Sequence, residues 1–254
     1  MSASLRERSV DWSVKVGEKV IRWFDRYFGR YSLIGDHAFF DLIEFPWVSE
    51  IEAGTEAMQR ELTEVLKDHD KLPNFQDIST DQYRLTDDDR WKTFFFYGYG
   101  FTAKNNIERC PETARLLRTI PGMTMGMFSI LSPHKQIPPH GGPYKGVLRY
   151  HLGLRIPEPA DDCGIKVRGE TRHWEEGRSL VFDDVFEHEA WNNTDAIRVV
   201  LFVDFRRPLK GFPSLLNSVI IKVIGWSPFV RDAKVRHRKW EKRFEKAQRD
   251  SPPK

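Results

Sequence analysis

Hydrophobic and polar positions along this 254-residue chain change their rhythm near residue 123. Upstream, the rhythm is helical. Over residues 10–30, Val16, Val20, Phe24 and Phe28 recur every fourth position beside Ile21 and Tyr27, and Lys15, Lys19, Arg22 and Arg26 take the rest. This pattern predicts an amphipathic helix that either packs on its own domain or lies in a membrane interface. A second helix is predicted over 48–69, with Ile51, Met58, Leu62 and Leu66 in its apolar stripe and Lys71-Leu-Pro73 as its stop. Residues 74–92 are polar and rich in Asp, and read as a loop with little regular structure. The aromatic run from Trp91 to Phe101 reads as a strand. A short helix follows from Pro111 to Ile120, ended by Pro121-Gly122.

From Met123 the period shortens to two. Strands are predicted at 123–131, 146–155, 163–168, 178–183, 187–192 and 197–205, separated by Pro-, Gly- and Asn-containing turns. Many short strands after a helical first half predict an α+β chain with a mainly β core, a barrel or sandwich on which helices pack. After Pro208 the pattern is helical again. Leu215–Val230 carries one charge, Lys222, and is interrupted by Gly225 and Pro228. The division expected is an amphipathic segment over 1–40, the β domain with supporting helices over 41–208, and an apolar-then-basic helical extension over 209–254.

Composition changes this picture little. Eighteen Phe and eight Trp supply a core. A net charge of +3 argues against a nucleic-acid partner. The charge is uneven, however: Arg231 to Gln248 holds eight Lys/Arg against three Asp/Glu. That run is either a solvated helix face or a site for phosphates and anionic membrane surfaces. Cys110 and Cys163 have neither metal-ligand nor disulfide spacing. No apolar run approaches the roughly 20 residues of a membrane span, and the N-terminus shows no apolar signal core. A cytoplasmic location is therefore expected, with peripheral contact to the inner face of the cytoplasmic membrane as an extension of it.

The candidate chemistry sits in the strands. His140 and His188 lie 48 residues apart, each at a strand edge, and Arg198 follows ten residues later inside the apolar run Ile197–Val203. Imidazoles suit iron, usually as two His and one carboxylate. The carboxylate would stand two residues after His140, where this chain has Gly142. Either two protein ligands suffice or the acid comes from elsewhere. Asp184 is the nearest candidate, as a ligand or as a holder of metal-bound water. An Arg buried in an apolar strand is costly without an anion, and a carboxylate held by its fork resolves the cost. Arg149 is similarly placed, and strand alternation puts it on one face with His151. Any one of these residues alone is more often structural. Together they point to a site for Fe(II) and the dicarboxylate 2-oxoglutarate, with O2 as the third reactant.

Longer motifs carry a resemblance. Pro139-His140-Gly-Gly-Pro143, Leu148-Arg149-Tyr-His151-Leu-Gly-Leu-Arg-Ile-Pro157, Trp174-Glu-Glu-Gly177, Phe182-Asp-Asp184 and Phe186-Glu-His188-Glu-Ala-Trp191 resemble the aspartyl/asparaginyl β-hydroxylase family over residues 40–208. The resemblance implies a double-stranded β-helix (a jelly roll, cupin-like). It implies iron on His140 and His188 without an acidic ligand, and 2-oxoglutarate on Ser129, Arg149, His151 and Arg198. Outside the barrel, Arg118-Thr-Ile-Pro121-Gly-Met, Arg206-Arg-Pro208-Leu and Trp226-Ser-Pro-Phe-Val-Arg-Asp-Ala233 look like the bacterial lipid A 2-hydroxylase branch. Oxygenases of ornithine-containing lipids are similar to the same degree. The expected reaction is thus hydroxylation of a fatty acyl chain of a lipid. The alternatives are hydroxylation of Asp/Asn side chains in a protein or peptide, or of a small molecule.

Overall fold

The computed structural model describes residues 24–249. The expected helix over 10–30 therefore lies mostly outside the described residues. Within them, helix α1 covers 24–31. The other helices are α2 Val48–Ala53, α3 Thr55–Leu66, α4 Phe75–Ile78, α5 Lys104–Arg109, α6 Pro111–Leu117, α7 Phe212–Gly225 and α8 Pro228–Arg249. The strands are β1 Trp91–Gly98, β2 Phe101–Thr102, β3 Met123–Leu131, β4 Lys135–His140, β5 Val147–Arg155, β6 Cys163–Val167, β7 Glu170–His173, β8 Ser179–Phe182, β9 His188–Asn192 and β10 Arg198–Arg206.

The strands form two antiparallel sheets, ordered β2-β1-β3-β10-β5-β8 and β4-β9-β6-β7. Alternation sorts the large sheet's side chains onto two faces. Phe128 and Ile130 of β3, Leu148, Tyr150, Leu152 and Leu154 of β5, and Val199, Leu201, Val203 and Phe205 of β10 face one way. They bury Ile51 of α2, Met58, Leu62 and Val65 of α3, and Leu116 and Leu117 of α6. On the other face, Met127, Val200 and Phe202 meet Ile137, Ile165, Val167 and Ala190 of the small sheet. Two antiparallel sheets closed over such an interior, with helices on the outside, make the expected double-stranded β-helix. The same parity turns Ser129, Arg149, His151, Arg198 and Asp204 inward.

Several elements differ from the pattern expected. The helix over 48–69 is two helices, because the chain turns at Gly54, where a Cβ would run into Leu116. The 74–92 stretch is ordered. It contains α4 and a 3-10 turn over Thr80–Arg84, with Phe75, Ile78 and Leu85 buried beneath its polar residues. Strand β4 holds Pro138 and Pro139, which conceal it from a strand reading. It tolerates them because it lies at the edge of its sheet.

The terminal segments pack on the barrel. Phe28 of α1 is fully buried with Tyr144 and Leu209, and α7 lays Leu216, Ile220, Ile221 and Ile224 over them. Helix α8 docks through His237 against Phe95 and Phe101, and through the Trp240 indole, which donates to the Lys71 carbonyl at 3.0 Å. Among the described residues, no single helix is long and apolar enough to cross a membrane.

Candidate active site

Strand β4 ends at His140 and β9 begins at His188, and the two are paired across the small sheet. Their rings lie 4.1 Å apart between centroids. Each Nδ1 sits against a backbone carbonyl two residues upstream, His140 on Pro138 O at 2.8 Å and His188 on Phe186 O at 2.9 Å. A carbonyl only accepts, so both Nδ1 atoms carry the proton and the Nε2 lone pairs are the basic ones. Burial lowers the His140 pKa, and Arg149 adds to the effect. Burial, His140 and Arg149 push His188 down to about 3. Both rings are therefore neutral at physiological pH, the state in which imidazole binds a metal.

Gly142, where an acidic ligand would stand in the usual pattern, has no room for one. A Cβ there would strike the Asp184 carboxylate, 2.6 Å from its Cγ. The carboxylate thus reaches this place from the turn before β9. It is buried, and its Oδ2 pairs with Arg149 Nη2 at 2.9 Å, while its Oδ1 has no partner. Burial, with Asp204 and Asp183 nearby, holds its pKa up at about 6 against the opposing pull of Arg149. Among the described residues no group of three or more His, Cys, Asp or Glu is arranged to hold a metal ion. The fold offers an imidazole pair with a carboxylate beside it.

Arg149 is the hub of this end of the barrel. Its Nε donates to Asp204 Oδ1 at 2.9 Å, and its guanidinium lies 4.3 Å from the centroid of the Phe202 ring. Deeper in, His151 is enclosed by Phe182, Phe202 and Trp174, with ring centroids 5.0, 4.9 and 5.9 Å away. Among the described residues neither of its nitrogens has a hydrogen-bond partner. Burial, Arg149, Arg198 and His188 together hold its pKa well below the usual value.

Deeper still, Arg198 Nη1 donates to the Ser129 carbonyl at 3.3 Å and the guanidinium stacks 4.5 Å from the Trp174 ring centroid. Its Nε is unpartnered, and among the described residues no carboxylate pairs with it. Burial alone drives its pKa down to about 9. The Ser129 hydroxyl accepts from Trp91 Nε1 at 3.1 Å. Trp174 Nε1 and Thr93 Oγ1 are buried and unpartnered in the same interior.

The structure therefore arranges the expected residues in sequence from mouth to base. His140, His188, Asp184 and Arg149 line a cavity of about 530 Å³. His151 lies behind Phe202, and Ser129 and Arg198 form a separate pair beyond it. Sequence reasoning gave no site role to Asp204, Phe202, Trp91 or Thr93, nor to Trp174, although Trp174 heads one of the motifs. Alternation along β10 would have placed Asp204 and Phe202 on the face of Arg198. The cavity walls were missed as well. Phe24 of α1, Phe75 and Ile78 of α4, Phe101 of β2, Ile220 and Ile224 of α7, and Val230 and Ala233 of α8 make them mainly apolar.

A barrel with this histidine pair and inward arginines has recognisable relatives. The chain belongs to the aspartyl/asparaginyl β-hydroxylase family, whose sequence model matches residues 52–208. It is 45% identical to the ornithine lipid ester-linked acyl 2-hydroxylase of Rhizobium tropici over 225 residues, covering 89% of this chain and 80% of that protein. It is 38% identical to the human aspartyl/asparaginyl β-hydroxylase over 123 residues, which are 46% of this chain but only 16% of the human protein. Among solved structures, the Cupin_2 domain of an XRE family transcriptional regulator from Enterobacter cloacae aligns with 46% of this chain and 97% of its own, at 12% identity and a TM-score of 0.32.

Proposed function

We propose that this hydroxylase-family protein is an Fe(II)- and 2-oxoglutarate-dependent oxygenase that hydroxylates a fatty acyl chain of a polar lipid, the ornithine-lipid type being favoured by the relative at 45% identity. The residues fit both groups. Two neutral imidazoles with basic Nε2 atoms suit a ferrous ion. An Arg198 that lacks a carboxylate, beside unpartnered His151, Trp174 and Thr93 atoms, suits a dianionic ligand. His140 and His188 would hold the metal. Arg198 would take the distal carboxylate, with Ser129 and His151 along its length and Arg149 at the metal end. When bound, iron and 2-oxoglutarate supply the oxidising power that activates O2 toward a C–H bond. The chain's part is to orient and to exclude water. Phe202, Phe182 and Trp174 dry the interior, and Asp204 with Asp184 fixes the Arg149 guanidinium.

The observation that carries the substrate class is the wall of the cavity. It joins His140, His188, Asp184, Arg149 and Asp204 to a mainly apolar lining, part of it from within residues 52–208 (Phe75, Ile78, Phe95 and Phe101) and part from helices outside them (Phe24, Ile220, Ile224, Val230 and Ala233). A long apolar substrate with one reacting end matches that division. The alignment with the lipid hydroxylase extends well beyond residues 52–208, whereas the one with the human protein spans fewer residues than that segment. The test is incubation of the purified protein with Fe(II), 2-oxoglutarate, O2 and extracted ornithine lipid or lipid A. Mass spectrometry is expected to find one added oxygen on an acyl chain. Oxidation of an Asp- or Asn-bearing peptide, with both lipids untouched, would overturn the lipid reading.

A further inference from the structure

Helix α7 has two apolar faces, and the fold uses one of them. Pro213 and Asn217 are buried, and Leu216, Ile220, Ile221 and Ile224 pack toward Phe28, Tyr144 and Leu209. On the other side, Phe212, Leu215, Val219, Val223 and Trp226 are 68, 63, 51, 56 and 75% exposed. They recur at three- and four-residue intervals, so they form one stripe along the helix. Backbone hydrogen bonds from Leu33 N to Pro208 O and from Lys210 N to Tyr31 O bring residues 31–33 to the start of α7. Tyr31 and Leu33 are exposed there too, 43 and 62%. A continuous apolar strip of this kind is uncommon on a free surface and marks a contact.

The C-terminal end of the stripe borders a second feature. Tyr99, Gly100, Gly225, Trp226, Val230, Arg231 and Lys234 surround a surface hollow of about 410 Å³. It shares Tyr99 and Val230 with the cavity that reaches His140 and His188. Farther along α8, Arg236, Arg238, Lys239, Lys242 and Arg243 are exposed. Two cations and an indole around a hollow, beside an apolar stripe, combine the two attractions of an interfacial helix.

We propose that the outer face of α7 docks on a bilayer containing anionic lipids. Phe212, Leu215, Val219, Val223 and Trp226 enter the interface, while Arg231 and Lys234 hold a headgroup anion at its rim. Charge favours a bilayer over a second copy of this chain. The cations beside the stripe, Arg231 and Lys234 and then Arg236, Arg238, Lys239, Lys242 and Arg243 along α8, complement anionic headgroups. The inference rests on the lipid reading for its purpose. One face of α7 meets the membrane while Ile220 and Ile224 on the other line the active cavity, so an acyl chain has only the thickness of one helix, roughly 10 Å, to cross.

The experiment uses the full chain with phosphatidylcholine vesicles, with and without phosphatidylglycerol, at low and high salt. Wild type is expected to float with the phosphatidylglycerol vesicles and to be released by salt. The triple variant Leu215→Ser/Val219→Ser/Val223→Ser should lose at least tenfold in partitioning with little change in melting temperature, because its targets are more than half exposed. Arg231→Glu/Lys234→Glu should bind more weakly and lose salt sensitivity. Wild type that ignores these vesicles, a triple variant that binds as wild type does, or a dimer that only the triple variant dissolves would each overturn the docking face. Turnover in detergent separates the two readings. Hydroxylation of detergent-dispersed lipid without vesicle binding sinks the docking face and leaves the lipid reading standing. Vesicle binding that the triple variant abolishes, with no lipid hydroxylated in detergent, supports the docking face and sinks the lipid reading.

Discussion

Arg198 brings a guanidinium into the barrel, and among the described residues its hydrogen bond there is to the Ser129 carbonyl. Its pKa is pushed down to about 9 because burial acts with no carboxylate to offset it. Arg198→Met therefore has two expected effects of opposite kind. Melting temperature should hold or rise, since an uncompensated buried charge is removed. Binding of 2-oxoglutarate should weaken roughly tenfold to a hundredfold, the worth of a charge-assisted hydrogen bond of about 1.5–3 kcal/mol. Calorimetric scans with and without 2-oxoglutarate read both. A lower melting temperature with an unchanged ligand shift would make Arg198 a structural residue. The histidines differ in that each is half of an imidazole pair. His140→Ala and His188→Ala should each abolish Fe(II)-dependent 2-oxoglutarate turnover while leaving the circular dichroism spectrum intact. Full turnover in either variant, with iron supplied, would end the assignment. Residue types and strand alternation made these positions legible in the sequence. Asp204 was less so. Its pairing with Arg149 depends on the register of β5 against β10, which no local pattern encodes. Trp174 comes from the segment after β7, far in sequence from the arginine it stacks on.

Elements were legible where apolar residues run or alternate over several positions. The seven predicted strands all occur, β3, β5 and β10 as largely apolar runs covered on both sheet faces and β9 by alternation, and the run from Trp91 to Phe101 divides into β1 and β2. Strand β4 was hidden by Pro138 and Pro139, which an edge position accommodates. Helix α4 was hidden by Asp77 and its polar surroundings, although Phe75 and Ile78 bury themselves in the cavity wall. The helical, basic character of α8 was visible, but its buried titratable group was not. His237 is 2% exposed and its Nε2 has no partner. Burial lowers its pKa from 6.5 to about 4. Between those values the released chain binds a proton that the docked one does not. Docking is therefore fully supported above about pH 6.5, weakens as pH falls, and has lost the whole contribution below about 4. At about 1.4 kcal/mol per pH unit the loss is at most roughly 3–4 kcal/mol. Hydrogen exchange over α8 should accelerate as pH drops from 6.5 to 4.5, after correction for the intrinsic pH dependence of exchange, while the β10 amides stay protected. His237→Phe should flatten the response. An acid-labile α8 in the His237→Phe variant would place the sensitive group elsewhere.

At the scale of the whole molecule, the cavity belongs to no single element. The barrel provides the reacting end, and α1, α4, β2, α7 and α8 close the apolar part around it. The barrel motifs were legible because their residues are short-range and chemically distinctive. The walls were not, because Phe24 and Ile224 lie 200 residues apart and look like ordinary core residues in a local window. Under the lipid reading this division has a consequence for specificity. The reacting carbon is fixed by the barrel, so the length of chain accepted is set by how far the cavity runs toward α7. Each buried methylene contributes about 0.8 kcal/mol, roughly fourfold in affinity per carbon. Ile220→Trp or Ile224→Phe fills that end without touching the arginines or histidines. Either variant should shift the preferred acyl length downward, with longer chains losing roughly tenfold or more in kcat/KM and the shortest accepted chains nearly unchanged. Competition among lipids of graded acyl length, read by mass spectrometry of the hydroxylated products, measures the shift. 2-Oxoglutarate affinity in the same variants should match wild type. If all chain lengths fall together while that affinity holds, the acyl chain does not run toward α7, and the cavity wall is packing for the terminal helices alone.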